Sequence, residues 1–408
     1  MHSVPRQSAS LITALLTFVL VANLVPLMTV PTVLPDLQAR WHLTAGQAGW
    51  IGSIYFAGYA IAAPILASLS DRIDGRWVLA GSSLAGAAAS IAFGICADGF
   101  WLAFALRFVS GAAMAGVHMP GLKMLADRTL GPAQLRSAGI YTSSYALGNA
   151  GSALIAGVVQ SLLDWRAPFV VGGIVTLLAL PALALLRPAP RQAAKEETPA
   201  HPVMLRRNRA LVAYIVGFAG NTWEVFAIRV WFVACLAWTL RLPGNDIDLP
   251  NLGVVSGLAA LAGVPVSIAV AELAVRYRGS TVIVVTALLS VLVCLGLAAT
   301  AGGNVFVVLA LLVLLQVTSF ADVGALGAGA VAATHAAERG RAFGIYATVG
   351  FASGFAGPAV VGLVLERLGG TESPDAWAVA FLVMGVGSAV TAAAVWFGRS
   401  DQRPSGGR

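Results

Sequence analysis

Charge is what this sequence has least of. Only 11% of its 408 residues are Asp, Glu, Lys or Arg, and 58% are hydrophobic. A soluble domain carries about 25% charged residues, so a water-covered surface is excluded for most of the chain and lipid is the expected solvent. Long hydrophilic stretches are also missing. The longest, residues 187–209, is too short for a nucleotide-binding domain, which argues against an ATP-driven pump. Cysteine is confined to Cys96, Cys235 and Cys294, all in or at apolar runs, so neither a disulfide framework nor a metal site is expected. There is no Gly-rich phosphate loop, no His-Glu-x-x-His motif and no nucleophile elbow. An enzyme is therefore not expected, nor is a cofactor.

What is present is apolar length. A helix needs roughly 20 apolar residues to cross a hydrocarbon core of about 30 Å. Twelve such runs can be read, at about 11–34, 45–68, 77–97, 100–122, 135–160, 167–186, 210–238, 251–273, 280–301, 304–331, 342–365 and 376–397. Barrel strands would be short and alternating, and these runs are long and continuously apolar. The expectation is an all-α polytopic membrane protein with twelve transmembrane helices. The first run exceeds a signal-peptide core and is kept as helix 1.

Orientation follows from the basic residues. With the N-terminus in the cytoplasm, nineteen of the 25 Lys and Arg fall on the cytoplasmic side. Four lie in external loops (Arg40, Arg166, Arg241 and Arg367), and Arg107 and Arg229 lie inside helices. The positive-inside rule selects this topology, with both termini cytoplasmic. The formal charge of +7 thus reports topology, and no nucleic-acid partner is expected.

The chain divides into 1–186, a cytoplasmic linker at 187–209, and 210–408. The linker's basic cluster reads first as a topology anchor and second as a contact for anionic lipid headgroups. The two six-helix halves repeat: Arg136-Ser-Ala-Gly139-Ile140-Tyr141 matches Arg341-Ala-Phe-Gly344-Ile345-Tyr346 at an offset of 205, and the same offset carries Gly157 onto Gly362. Parallel six-helix repeats around a midplane site are a transporter architecture.

Between helices 2 and 3 the chain reads Ala67-Ser-Leu-Ser-Asp71-Arg72-Ile-Asp-Gly75-Arg76. This resembles the cytoplasmic signature of the major facilitator superfamily, with Ala67 where Gly is usual and Asp74 as a spacer. In that pattern Asp71 can pair with basic groups or a helix N-terminus of the neighbouring half as a latch, Gly75 permits the turn, and Arg72 and Arg76 keep the loop cytoplasmic. Arg107-Phe-Val-Ser-Gly111 resembles the superfamily's fourth-helix signature. Gly350, Gly354, Gly357-Pro358 and Gly362 on helix 11, with Gly148, Gly151 and Gly157 on helix 5, permit close helix approach. The resemblance covers essentially the whole chain. It implies a fold of two six-helix bundles, a monomer, and Gly357 and Pro358 near the moving interface. There is a loose likeness to anion carriers of the cyanate and nitrate types.

Ionisable groups inside a spanning helix cost about 2.5–3.5 kcal/mol on insertion scales. Four stand out: Arg107 in helix 4, Glu224 and Arg229 in helix 7, and Asp322 in helix 10. The resemblance implies that helices 1, 4, 7 and 10 line the central cavity. Arg107 can bind an anion bidentately or hold carbonyls or an acid of a neighbouring helix. Glu224, beside Asn221 and Trp223, is the candidate proton carrier, and Arg229 a candidate anion-binding group. The competing reading is a structural ion-pair network. Five residues turn a helix by about 140°, so Glu224 and Arg229 do not face each other. Asp322 is either a second proton site or an arginine partner. Asn23 and Asn149 are weaker lining candidates. His118 reads as an interfacial residue, and Tyr55 and Tyr59 share a face of helix 2.

The expected function is secondary active transport of a small solute across the bacterial inner membrane by alternating access. The substrate leans to an organic or inorganic anion because of Arg107 and Arg229, and the coupling ion to the proton. The expected partners are thus a small molecule, protons or another ion, and the bilayer. The alternatives are a proton-driven exporter of drugs or metabolites and, in a different class, a non-transporting membrane sensor or scaffold.

Overall fold

The computed structural model describes residues 7–188, 208–335 and 338–398. Most of the linker expected at 187–209 lies outside them, including Arg206 and Arg207. The described residues form fifteen helical segments and no strand. They are α1 (Ala9–Leu24), α2 (Thr29–Trp41), α3 (Ala45–Arg72), α4 (Gly75–Cys96), α5 (Phe100–Arg128), α6 (Pro132–Leu162), α7 (Ala167–Leu177), α8 (Ala179–Ala184), α9 (Arg209–Leu240), α10 (Leu252–Arg276), α11 (Gly279–Ala299), α12 (Val305–Ala321), α13 (Val323–Ala332), α14 (Arg339–Arg367) and α15 (Pro374–Phe397).

Three pairs make one span each: α1 with α2, α7 with α8, and α12 with α13. Eleven spans among the described residues are long and apolar enough to cross a membrane. The twelfth expected run is α6. At 31 residues it has the length, but Ser137, Thr142, Ser143, Ser144, Asn149 and Ser152 dilute its apolar character.

Side chains set many of the helix starts. Ser8, Asp74, Asn208, Asn304 and Ser373 each accept a backbone N–H of the first turn of α1, α4, α9, α12 and α15. Such caps satisfy donors that helix geometry leaves orphaned.

The break between α1 and α2 has a local cause and a distant repair. Pro26 supplies no N–H, so the turn before it loses a helical hydrogen bond although Val25 keeps helical dihedrals. The opened turn is closed from α6: the Ser152 hydroxyl donates to the Val25 carbonyl at 2.7 Å and accepts the Met28 N–H at 2.8 Å.

The chain forms two compact units. The first comprises Met1–Trp41, Ile54–Ala200 and Pro250–Gly257. Within it α1 packs on α6, α5 and α8, and α4 packs on α5 and α7. The second comprises His42–Ser53, His201–Leu249 and Leu258–Arg408. Its axis is α9, buried over most of its length and packed against α14, α15, α12 and α13. The helix α3 is divided, with its first two turns in the second unit and the remainder in the first.

Candidate functional site

The intramembrane charges fall into two groups, one in each unit. In the first unit Arg107 on α5 is 3% exposed. Its guanidinium donates to the Leu27 carbonyl at 3.1 Å and the Pro26 carbonyl at 3.4 Å, at the break between α1 and α2. It also lies 4.7 Å over the Tyr55 ring. A permanent cation is thus neutralised by the carbonyls that the proline break left without helical partners, and by the face of a π-system. Gly111, one turn along, allows this approach: a Cβ there would collide with the Tyr55 carbonyl oxygen. Asn23 ties α1 to α4, donating to the Val19 carbonyl at 2.9 Å and the Ser83 hydroxyl at 3.0 Å.

In the second unit Glu224 on α9 is fully buried. Its carboxylate accepts from the Ser290 hydroxyl at 3.0 Å, the Cys294 thiol at 3.2 Å and the Ser388 hydroxyl. The side chain therefore points between α11 and α15. Ser290 is in turn bonded by Thr318 of α12 at 3.2 Å. Three residues before Glu224, Asn221 donates to the Asp322 carboxylate and the Ser319 carbonyl, both at 2.7 Å. Asp322 sits at the junction of α12 and α13 and is 2% exposed. Trp223 turns to another side of α9, its indole N–H on the Val383 carbonyl at 2.9 Å.

Arg229, 8% exposed, lies against aromatic faces, 5.1 Å from the Phe320 centroid and 5.9 Å from that of Phe226. The structure thus brings Asn221 and Asp322 together.

The cytoplasmic motif lies in the first unit. Asp71 pairs with Lys123 of α5, so this ion pair is made within the unit. Arg72 is exposed. Gly75 opens α4 where a Cβ would press on Met124 at 2.7 Å. The spacer Asp74 holds the network: it caps α4, binds Arg76 at 3.0 Å, and has Arg128 at 3.8 Å. Partial burial pushes its carboxyl up. The hydrogen bonds from the Arg76 side chain and backbone, with the charges of Arg76 and Arg128, outweigh that and hold it below its ordinary 3.8. Arg76 also donates to the Leu186 carbonyl at 2.7 Å, at the end of the sixth span. In the second unit Gly357 lies against the Trp223 backbone, and the Pro358 carbonyl accepts the Trp231 indole N–H at 3.0 Å.

Sequence reading did not single out Ser290, Cys294, Thr318 and Ser388 around Glu224, or Ser152 at the helix break. The one available signal was a small polar residue within an apolar run. Such residues usually bond their own helix, as Thr286 and Thr142 do.

The model of the "Major Facilitator Superfamily" matches residues 11–337 and 247–408. Human "Protein spinster homolog 1" is 24% identical over 304 residues, covering 68% of this chain and 56% of that protein. The chain spans about half the length of the spinster relatives it matches. The niacin transporter NiaP of Acinetobacter baylyi is 31% identical over 144 residues, 35% of this chain and 32% of that one. Among solved structures, an inward-facing, occupied bacterial homolog of the human lysosomal transporter Spinster superposes with a TM-score of 0.81 at 14% identity, over 97% of each chain. The nucleoside transporter NupG superposes with a TM-score of 0.75 at 15% identity, over 95% of this chain and all of that one. These structural likenesses establish the fold.

Proposed function

The chain belongs to the major facilitator superfamily, and from that premise we propose that it is a secondary transporter of a small anion, coupled to protons and working by alternating access. The observation that carries the coupling is the setting of Glu224. It is completely buried, and its carboxylate accepts from two hydroxyls and a thiol. Hydroxyls both donate and accept. Ser290 and Ser388 can donate to the carboxylate and, after rotation, accept from the carboxylic acid. Both protonation states are therefore served by the same side chains without a change of fold. A fixed cation in their place would favour one state only. Asn221 and Asp322 supply a second carboxylate one turn away along α9, in the role of a further proton site.

The anion reading is supported by Arg229, whose charge is set against ring faces of the second unit. Arg107 is occupied by carbonyls and serves the architecture of α1 and α2. The niacin relative accords with an organic anion. A plant organic cation/carnitine transporter, 30% identical over 148 residues, favours the second reading, a proton-driven exporter of organic cations with Asp322 at the substrate. The distribution of basic residues supports a reading with both termini on the cytoplasmic side of a bacterial inner membrane. A monomer carries all the groups this scheme uses.

The test is uptake into proteoliposomes under an imposed pH gradient. A stability screen of small anions, organic cations and hydrophobic drugs at two pH values supplies the solute. Glu224→Gln should lose gradient-driven accumulation and keep exchange of solute for solute. Accumulation that survives Glu224→Gln removes the carrier role. A screen answered only by cations, through Asp322, selects the exporter.

A further inference from the structure

Glu224 is fully buried, so a proton that titrates it needs a route through the protein. Its three side-chain partners are unequal in this respect. Cys294 of α11 and Ser388 of α15 are 1% and 3% exposed, and among the described residues neither bonds onward. Ser290 of α11 does. It is fully buried, and its oxygen receives the hydroxyl of Thr318 on α12 at 3.2 Å. Thr318 itself is only half-buried.

The direction of this chain follows from which groups can donate. A carboxylate only accepts, so the single Ser290 hydroxyl proton lies toward Glu224, at 3.0 Å. Thr318 is then the donor to Ser290. Its other acceptor, the Leu315 carbonyl of its own helix, is farther, at 3.5 Å. The two hydroxyls therefore point inward in series, from the half-buried residue to the buried carboxylate.

Thr318 also lies where α12 stops being apolar. Val305–Leu315 carry no polar side chain, and Gln316, Thr318, Ser319 and Asp322 follow within two turns. Asp322 is four residues beyond Thr318, on the same helical stripe. The outer end of the chain thus adjoins the polar junction of α12 and α13.

Other titratable groups near Glu224 are few. Cys294 bonds it from α11, Asp322 follows α12, and Arg229 is five residues on along α9. From α15 it receives the Ser388 hydroxyl, and α14 meets α9 through Gly350, Gly354 and Gly357.

We infer that Thr318 and Ser290 form the proton relay of Glu224. A hydronium ion at Thr318 gives its proton to the threonine oxygen and leaves as water. The original Thr318 O–H bond breaks as that proton bonds to Ser290 Oγ. The Ser290 O–H bond breaks in turn, and its proton passes to Glu224 Oε2. The carboxylate becomes a carboxylic acid, and each hydroxyl ends with one proton. Chains of this kind serve buried carboxylates in membrane pumps and transporters. The relay rests on the carrier role proposed above for Glu224 and adds its route.

The test is a pH jump on the purified full-length protein, followed by time-resolved infrared absorption of carboxylic acids. The band missing from Glu224→Gln is that of Glu224. Thr318→Val keeps the side-chain shape and removes the hydroxyl. It should slow the rise of this band roughly a hundredfold, the scale of one positioned proton-transfer group, with the final amplitude unchanged. Thr318→Ser should keep the parent rate. Ser290→Ala cuts the same chain from α11, should also be slow, and carries the test if Thr318→Val fails to fold. Protonation of either cut variant at the parent rate overturns the relay and leaves Glu224 a carrier reached by another route. A lower final amplitude at an unchanged rate makes the hydroxyls solvating groups only and also overturns it. If no band of the unaltered protein is missing from Glu224→Gln, Glu224 does not titrate, and the carrier role falls together with the relay.

Discussion

The two units each bury a full charge in apolar surroundings, and they neutralise it in opposite ways. Arg107 is met by main-chain carbonyls, which accept only and which the proline break placed there. Glu224 is met by side-chain hydroxyls and a thiol, which can reverse their role. The first arrangement suits a charge that never changes, since arginine stays protonated. The second suits a charge that comes and goes. Burial alone marks both residues as exceptional, and the donor or acceptor character of the partners separates a structural ion from a switching one.

The largest effect should come from Arg107. Arg107→Met leaves the Pro26 and Leu27 carbonyls unpaired and should cost about 3 kcal/mol, seen as a large fall in thermal midpoint. Glu224→Gln keeps shape and hydrogen-bonding capacity and should stay within about 1 kcal/mol of the parent while losing proton coupling. If Glu224→Gln is the more destabilising of the two, the contrast between the units fails. Next comes Gly111→Ala, whose methyl would meet the Tyr55 backbone, not a movable side chain. About 2 kcal/mol of destabilisation is expected from such overpacking, sharpening the view that Arg107 and Tyr55 are held as one assembly. Gly81→Ala is its control in the same unit. Nothing lies within 4 Å of a Cβ there, so thermal melting should show a gain of about 0.5 kcal/mol.

The smallest effect concerns Asp74, the surface counterpart of the buried charges. Its carboxyl is held below its ordinary value by Arg76. A depressed folded-state pKa contributes stability that is present above the unfolded value and lost as pH falls through the folded one. Asp74→Asn should therefore melt slightly below the parent at pH 7, and the two should converge toward pH 3. A gap that persists in acid would assign the effect to helix capping instead of charge.

Much of the fold was legible in the residues because hydrocarbon imposes one dominant rule, continuous apolar length. The runs at 100–122 and 210–238 were recognisable for that reason; α5 extends the first at its C-terminal end and α9 extends the second at both ends. The four intramembrane charges were legible because each violates that rule. Their partners were not. Ser290 and Ser388 lie 66 and 164 residues from Glu224, and nothing local distinguishes them from serines that bond their own helix. The interruption at Asp322 was equally hidden, since α12 and α13 continue one apolar run. Asp74 looked like an irregular spacer in a motif, and it is the residue around which Arg76 and Arg128 gather.

The Ser152 hydroxyl has a consequence for how this sequence can change over time. It occupies both sides of the gap that Pro26 opens, so the bend of the first span is written partly in the sixth helix. Losing Pro26 would strand the hydroxyl, and losing Ser152 would strand the bend. Either substitution alone should be selected against, whereas the pair can drift together. Among descendants of this chain, positions 26 and 152 should be inherited as one character.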